Sequence, residues 1–308
     1  MKSIEVDNLT KTYGKKKEKV LAVDDVSFDV NHGEIFGLIG PDGAGKTTIF
    51  RMLTTVIIPE SGSANIEGLD MVKDYKEIRK ILGYMPGKFS LYQDLSVEEN
   101  LEFFANVFNT TIEENYHLIK DIYVQIEPFK DRKAGKLSGG MKQKLALSCA
   151  LIHKPKVLFL DEPTTGVDPV SRKEFWEMLK RLKTQGITMV VATPYMDEAA
   201  MCDRIALIQN GKILQIDTPE NISNSFPDEL YEIKAGRTSD VLKALNEYEH
   251  KKNVYAFGEF VHLTTEQNES FSLSEIEKFL QEKGFENIEI RKVKAIIEDS
   301  FIRLLSIP

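Results

Sequence analysis

The chain has few cysteines and no excess of positive charge, and each of these features excludes some classes of protein. Only two cysteines, Cys149 and Cys202, occur among 308 residues, and their spacing fits neither a metal site nor a disulfide framework. Both lie in apolar helical contexts typical of small core residues, so the chain suits a reducing compartment. The formal net charge of -8 argues against a general nucleic-acid binder, because such proteins present a basic face.

Apolar segments long enough to cross a bilayer are also missing. The best apolar runs, at 157–160 and 187–192, are far shorter than the ~20 residues of a membrane-spanning helix, and no signal peptide is evident. We therefore expect a cytoplasmic protein that could serve a membrane only as a peripheral subunit on its cytoplasmic face. The length and the 42% of hydrophobic residues are enough to bury a core without disulfides.

What the sequence does contain is a succession of strand and helix patterns typical of an α/β fold. Alternating apolar residues within 1–33 predict strands. A more continuously apolar strand at 34–39 runs into glycines and then a helix at 47–53, which begins an α/β unit. Further predicted elements are a helix from the Ser96 capping box to Val107, a helix at 141–152, a strand at 157–160, a helix capped by Ser171, a strand at 187–192 and a hairpin around Asn210-Gly211.

The character of the chain changes after about residue 224. A Ser/Asn/Pro/Asp-rich stretch at 223–228 is typical of a linker. The elements predicted after it are strands at 230–233, 254–257, 260–264 and 288–292 and helices at 240–248, 273–283 and 297–305. We therefore predict two domains, 1–224 with helices inserted at about 87–155, and a small α+β domain at 225–308.

The segment 40–48 fits the phosphate-loop pattern G-x-x-x-x-G-K-[ST], and it follows a predicted strand and precedes a predicted helix. Its glycines let backbone N–H groups converge on phosphate oxygens, and the helix adds its positive N-terminal end. Lys46 is expected to reach the β- and γ-phosphates, and the Thr47 hydroxyl to ligate Mg²⁺. The predicted nucleotide-binding residues here are Gly40, Pro41, Asp42, Gly43, Ala44, Gly45, Lys46, Thr47 and Thr48.

Two carboxylates follow the apolar strand at 157–160. Strands of a doubly wound sheet present their carboxyl ends to the ligand crevice. Asp161 is therefore placed to hold Mg²⁺ with Thr47, and Glu162 is placed to polarise the attacking water as the catalytic base. Two acids at a strand end would by themselves also fit a solvated turn, but the phosphate loop upstream favours the site.

The segment 137–143, Leu-Ser-Gly-Gly-Met-Lys-Gln, resembles the signature motif of the ABC transporter ATPases. A serine hydroxyl and glycine N–H groups at a helix N-terminus form an anion site. The resemblance implies that this site grips the γ-phosphate held by another subunit, and it disfavours a generic P-loop kinase or GTPase. The residues it assigns to the nucleotide are Ser138, Gly139, Gly140 and Gln143.

The resemblance extends over about residues 1–224. It implies that Tyr13, by itself more typical of a structural aromatic, stacks on adenine, and that 165–168 touches a partner subunit. Residues 89–104 are most similar to the export branch that serves ABC-2-type permeases, the multidrug and antibiotic exporters, and 225–308 to the small domain often appended there.

The family implies a particular fold and set of partners. The fold is an α/β P-loop NTPase core with an antiparallel β subdomain and an inserted helical subdomain. The ligands are ATP and Mg²⁺. The partners are a second ABC ATPase subunit and an integral membrane permease, with no nucleic acid.

Two side chains that the family uses in hydrolysis are absent. Where the family has a glutamine that contacts the metal and the attacking water, this chain has Gly87, and neither Lys88 nor Gln93 is suited to replace it. Where the family has its switch histidine, the chain has Pro194, which offers no side-chain donor and no backbone N–H. We therefore expect Mg-ATP binding with slow turnover, because such lost transition-state contacts cost ~2.7–4 kcal/mol each.

These departures lead to a hypothesis about assembly. In the family, one subunit supplies the phosphate loop and carboxylates of a site and the other supplies the signature. A chain with a degraded site and an intact signature is expected to pair with a second, complete ATPase subunit. The alternatives are a fully active homodimeric export ATPase, for which Glu162 suffices, and a regulatory ABC protein without a transport role.

Overall fold

The computed structural model describes residues 1–14, 19–88, 90–266 and 273–306. Phe89, which opens the export-like stretch, lies outside the described residues. The chain divides into two compact units, Met1–Pro219 and Glu220–Pro308, and each has its own buried core. This division falls a few residues before the boundary expected from composition.

Strands and helices alternate along most of the first unit. Its strands are β1 (Lys2–Tyr13), β2 (Val20–Asn31), β3 (Ile35–Ile39), β4 (Ser61–Ile66), β5 (Leu69–Asp70), β6 (Leu82–Met85), β7 (Val157–Asp161), β8 (Thr188–Thr193), β9 (Arg204–Gln209) and β10 (Lys212–Asp217). Its helices are α1 (Lys46–Leu53), α2 (Tyr75–Ile81), α3 (Val97–Val107), α4 (Ile112–Tyr123), α5 (Gly139–Leu151), α6 (Pro169–Thr184) and α7 (Met196–Ala199), with 3-10 turns at Glu127–Phe129 and Ala134–Lys136.

The strands of this unit form an antiparallel sheet in the order β2-β1-β4-β5 and a mixed sheet in the order β10-β9-β3-β8-β7-β6. In the mixed sheet, β10 pairs antiparallel with β9 and the other neighbours are parallel. Every residue of β3, β7 and β8 is buried, as their continuous apolar sequences predict. The carboxyl ends of these central strands share one edge, and the loop that follows each of them begins there.

The segment between β6 and β7 is largely helical. Ser96 begins α3 with the predicted capping box, because its hydroxyl accepts from Glu99 N and the Glu99 carboxylate accepts from Ser96 N. The fully buried Asn100 then binds the backbone of Tyr92 through both its side-chain oxygen and its amide group. In the described part of the chain, no helix is both long and apolar enough to span a bilayer.

The start of α6 corrects one sequence prediction. Ser171 is not the N-cap, since the Asp168 carboxylate accepts hydrogen bonds from Val170 N (3.1 Å) and Ser171 N (3.0 Å) and the helix begins at Pro169. Proline suits the first helical position because its φ is preset and it leaves no N–H unpaired. A charged carboxylate also complements the helix N-terminus better than a hydroxyl does. The hydrogen bond from Ser171 N is the main reason that the pKa of Asp168 is lowered.

The second unit has the predicted α+β composition. Its elements are α8 (Pro219–Asn224), which begins at the last residue of the first unit, β11 (Glu229–Lys234), α9 (Thr238–Leu245), β12 (Asn253–Phe257), β13 (Phe260–Thr265), α10 (Leu273–Glu282), β14 (Glu289–Val293) and α11 (Ile297–Leu305). The strands pair antiparallel in the order β12-β13-β11-β14. Asp299 anchors α11 to this sheet through hydrogen bonds with His262 Nδ1 (2.8 Å) and Tyr255 OH (2.7 Å).

Candidate active site

The loop between β3 and α1 is fixed by contacts with neighbouring backbone. Gly40 N donates to the Thr193 carbonyl (3.3 Å), which ties the start of the loop to the end of β8. Gly45 has a φ of 107°, and a Cβ there would lie 2.5 Å from the Ala22 carbonyl oxygen of β2, so this position requires glycine. The loop therefore lies against β2 and the end of β8 and leads into the first turn of α1, where backbone N–H groups have no partner within the helix.

Lys46 lies at the start of α1 with its side chain only 4% exposed. Its Nζ donates to the carbonyls of Gly40 (2.7 Å) and Pro41 (3.0 Å) and lies 3.8 Å from Glu162 Oε1. Burial lowers the pKa of Lys46, while the surrounding carboxylates, Glu162 first, act in the opposite direction. Two of the three donors of this ammonium are used within the loop, and the third can serve a ligand oxygen.

Asp161 ends β7 and is 3% exposed. Thr47 Oγ1 donates to Asp161 Oδ1 (3.3 Å), so the two residues predicted to hold a metal lie in contact. Burial raises the pKa of Asp161, and the hydrogen bond from Thr47 and the charge of Lys46 oppose that rise. A hydroxyl beside a buried carboxylate is an oxygen donor set of the kind that suits Mg²⁺, and a bound cation would stabilise the ionised carboxylate.

Glu162 follows with a left-handed backbone, φ 49°, which non-glycine residues adopt uncommonly. Its N–H donates to the Ala192 carbonyl of β8 (2.8 Å), and this bond holds the conformation. Its side chain is 25% exposed and accepts a long hydrogen bond from Thr165 Oγ1 (3.4 Å). A fixed carboxylate that is open to solvent beside Lys46 is placed to orient and deprotonate a water molecule.

Gly87 lies directly against the two carboxylate residues. A Cβ built on Gly87 would lie 3.1 Å from the Asp161 carbonyl oxygen and 3.7 Å from Glu162 Cβ. Gly87 has no positive φ, so its backbone conformation is open to other residues. A longer side chain here would start beside the Asp161 backbone and the Glu162 Cβ, and glycine places no side chain at this position.

Pro194 follows β8 immediately, in the other loop that borders the site. The Thr193 hydroxyl accepts from Tyr195 N (3.1 Å) and donates to Glu198 Oε2 (2.7 Å), which shapes the turn around the proline. Proline itself brings no hydrogen-bond donor to this position. Gly87 and Pro194, which follow β6 and β8, therefore border the same edge of the sheet as the phosphate loop.

The remaining predicted contacts lie on more exposed surface. Ser138 is the N-cap of α5, and its hydroxyl accepts from Met141 N (3.3 Å). Gln143 is partly buried in the same helix. Tyr13 ends β1 with 38% of its surface exposed. The predicted roles of these residues toward a nucleotide stay predictions.

The segment that follows β7 supports the start of α5. A Cβ on Gly139 would lie 3.1 Å from the Gly166 carbonyl oxygen, and one on Gly140 would lie 2.9 Å from Ser171 Oγ. The two glycines of the predicted signature therefore pack closely against the segment 166–171, which starts four residues after Glu162. A side chain at Gly140 would have to displace Ser171.

Sequence reasoning missed one buried carboxylate near the site. Glu198 is 2% exposed and accepts from the hydroxyls of Thr164 (2.5 Å) and Thr193 (2.7 Å). It occupies the short helix α7 beside the exposed Asp197, where the local pattern gives no sign of burial. A signal lies only in the two threonines, one at the end of the buried strand β8 and the other in the loop after the buried strand β7.

The chain matches known proteins over most of its length. It matches the family model described as ABC transporter over residues 23–165. It is 32% identical to the Nod factor export ATP-binding protein I of Rhizobium sp. strain N33, over 98% of this chain and 96% of that protein. It is 42% identical to the probable multidrug ABC transporter ATP-binding protein YbhF of Escherichia coli over 71% of this chain, but it spans only 38% of the length of YbhF.

Solved structures agree with the fold. The ATP-binding cassette MJ0796, solved as a dimer in a post-hydrolysis state with ADP and Pi, superposes with a TM-score of 0.64 at 26% identity, over 70% of this chain and 98% of that chain. The P-loop NTPase cassette expected from the sequence is thereby confirmed. With a phosphate loop, a carboxylate pair and an extended match to an export ATP-binding protein in one polypeptide, the chain belongs to the ATP-binding proteins of ABC transporters.

Proposed function

We propose that the chain is the ATP-binding subunit of an exporter, that its own site binds Mg-ATP but hydrolyses it slowly, and that it pairs with a second ATPase subunit. The observation that carries this proposal is the contact of Gly87 with Asp161 and Glu162. An intact phosphate loop and carboxylate pair are bordered by a residue without a side chain on one flank and by Pro194 on another.

The residues of the site divide the work in this proposal. Bound Mg-ATP supplies the phosphoryl group to be transferred to water and the charge of the metal ion. Lys46 and the first turn of α1 bind the phosphates, as the buried ammonium and free N–H groups favour. Thr47 and Asp161 hold the metal, and Glu162 orients the attacking water and takes its proton. Without donors at 87 and 194, the transition state has fewer partners.

The pairing with a second subunit follows from the exposed signature. Ser138 and Gly139 lie exposed at the start of α5, where the hydroxyl and N-terminal amides can receive a phosphate from outside the chain. The related cassette MJ0796 is dimeric with ADP and Pi bound, which supports pairing within this family. A chain with a weakened site and a complete signature contributes most of its chemistry to the partner's nucleotide.

An apolar groove beside the site supports a membrane permease as the other partner. The groove has a volume of about 370 Å³ and includes Met85, Leu91, Phe104 and Cys149 in its lining. Val107 at its rim is 56% exposed, and exposed apolar surface of this kind marks protein interaction sites. The relatives named for Nod factor and multidrug transport support export as the process. Co-purification with an integral membrane protein tests this partner and a place on the cytoplasmic face.

The first test uses the purified chain alone. We expect tight Mg-ATP binding together with steady-state hydrolysis close to that of the Glu162→Gln variant, because lost transition-state contacts slow chemistry without weakening ground-state binding. Equilibrium binding and phosphate release measure the two quantities. Brisk hydrolysis that disappears in Glu162→Gln would instead identify a fully active homodimeric ATPase.

As the pH falls, the Mg²⁺ dependence of ATP binding is expected to weaken. This weakening should begin at a higher pH than it would if the metal ligand were an aspartate with an ordinary pKa. Burial raises the pKa of Asp161 above its usual 3.8, so protons compete with the metal for this carboxylate earlier as the pH falls. ATP affinity measured with and without Mg²⁺ over a series of decreasing pH values shows the effect. Asp161→Asn is the control because it keeps the titration of the ATP phosphates, and identical profiles in both proteins would contradict the expectation.

A further inference from the structure

A buried carboxylate joins the two loops that flank the candidate site. Glu198 Oε1 accepts from Thr164 Oγ1 (2.5 Å) and Oε2 accepts from Thr193 Oγ1 (2.7 Å). The three side chains are 2%, 1% and 0% exposed, respectively. Thr164 belongs to the loop that carries Glu162, and Thr193 ends β8 immediately before Pro194. One carboxylate therefore binds both loops, with one oxygen for each.

A third element meets the same carboxylate. Arg172 of α6 places its Nε 3.6 Å from Glu198 Oε1, and its guanidinium lies over the Tyr195 ring at 4.3 Å. Its Nη1 also lies 3.5 Å from the exposed Asp197. The start of α6 is thereby held against the turn that contains Pro194. A buried carboxylate requires such hydrogen-bonding and charged partners, so it favours one arrangement of the three elements.

We propose that Glu198 is a positioning residue for the ATP site. It holds the segment 162–171 in place, so that one end of the segment contacts the Glu162 carboxylate and the other end contacts the signature glycines. This inference rests on the proposed function for its consequence in hydrolysis. At one end of the segment, Thr165 contacts the Glu162 carboxylate. At the other end, Ser171 and the Gly166 carbonyl support the signature glycines.

The position of Glu198 makes the two ends of this segment interdependent. The Glu198 carboxylate lies between the loop of Glu162 and the start of α6 and binds both. A shift of the Glu162 loop, which borders the chain's own nucleotide, would also move Gly166 and Ser171. These two residues contact the signature glycines, which in the proposed function bind the partner's nucleotide. Loss of the carboxylate therefore affects the geometry of both composite sites and leaves the phosphate loop, which binds Mg-ATP, in place.

The test compares Glu198→Met, which keeps an unbranched side chain of similar size without acceptors, with Asp197→Asn, which removes a neighbouring exposed carboxylate that pairs with the same arginine. In Glu198→Met, we expect backbone amide exchange in 163–168 to rise about tenfold or more, because two buried hydroxyls lose their acceptor. We expect exchange in 40–46 and the Kd for Mg-ATP to stay within about threefold. Any turnover above the Glu162→Gln blank falls without a rise in KM. Asp197→Asn should change none of these.

Thr164→Val provides a second variant that removes one hydrogen bond at nearly constant volume, and it remains informative where Glu198→Met folds poorly. It should raise exchange in 163–168 in the same local pattern. Unchanged exchange there in both variants overturns the proposal, and so does an increase spread evenly over the whole sheet. Failure of the wild-type chain to bind Mg-ATP would instead refute the proposed function, and the exchange result would still stand.

Discussion

The chain that carries Gly87→Gln together with Pro194→His is expected to hydrolyse ATP about a hundredfold faster than the wild-type chain. A side chain at 87 starts 3.7 Å from Glu162 Cβ and can extend beside the carboxylates, and a histidine at 194 restores a donor at the end of β8. Each recovered transition-state contact is worth ~2.7–4 kcal/mol, but contributions within one site need not add. Phosphate release at saturating Mg-ATP measures the gain.

Matched variants separate the restored chemistry from crowding. A Cβ at 87 lies a tight 3.1 Å from the Asp161 carbonyl oxygen, so Gly87→Ala with Pro194→Ala introduces the same crowding without the two donors and should stay at the wild-type rate. The restored pair in a Glu162→Gln background should stay at the blank. A restored double variant that binds Mg-ATP normally but turns over no faster than wild type would show that these two positions do not limit hydrolysis.

Removing the buried ammonium, by Lys46→Met, is expected to raise the Kd for Mg-ATP about a hundredfold or more. Hydrogen bonds to charged groups contribute ~1.5–3 kcal/mol each, and the loss also leaves Glu162 and Asp161 unopposed beside a polyphosphate. Equilibrium binding of a fluorescent ATP analogue measures the change.

Lys80→Met is the matched control for this variant. Lys80 lies exposed on α2 and pairs with Glu77 (2.8 Å), so its loss removes one positive charge from the same unit without touching the phosphate loop. The Kd of this control should equal that of the wild-type chain. A folded Lys46→Met variant with wild-type affinity would place the nucleotide elsewhere.

Elements set by local chemistry were predictable from the sequence. The Ser96 capping box and the Asn210-Gly211 turn between β9 and β10 need only neighbouring residues. The continuous apolar sequences of β7 and β8 indicate that these strands are buried. The start of α6 was not predictable from the sequence, because aspartate and serine are both favoured N-caps. The choice between Asp168 and Ser171 is decided by Pro169, which occupies the first helical position.

Long-range burial explains the other omission. The local sequence around Glu198 is typical of a charged, solvent-facing turn, and its burial depends on Thr193 at the end of β8 and Thr164 in the loop after β7. Similarly, the sequence shows that Gly87 has no side chain, but its closeness to the Asp161 carbonyl arises only when β6 and β7 pair. Residues whose partners come from distant segments that meet at the edge of the sheet therefore cannot be recognised from the local sequence.

The close approach of Gly45 to the Ala22 carbonyl affects the rate of ATP binding as well as the affinity for ATP. A loop that lies against β2 and the end of β8 before the nucleotide arrives needs little ordering to bind it, so association is not slowed by folding of the site, and the bound state loses little entropy. In the proposed function, tight binding combined with slow chemistry gives ATP a long residence in this site. Such a chain would keep its nucleotide through many catalytic cycles of a faster partner, and the lifetime of the closed pair would be set by the faster site.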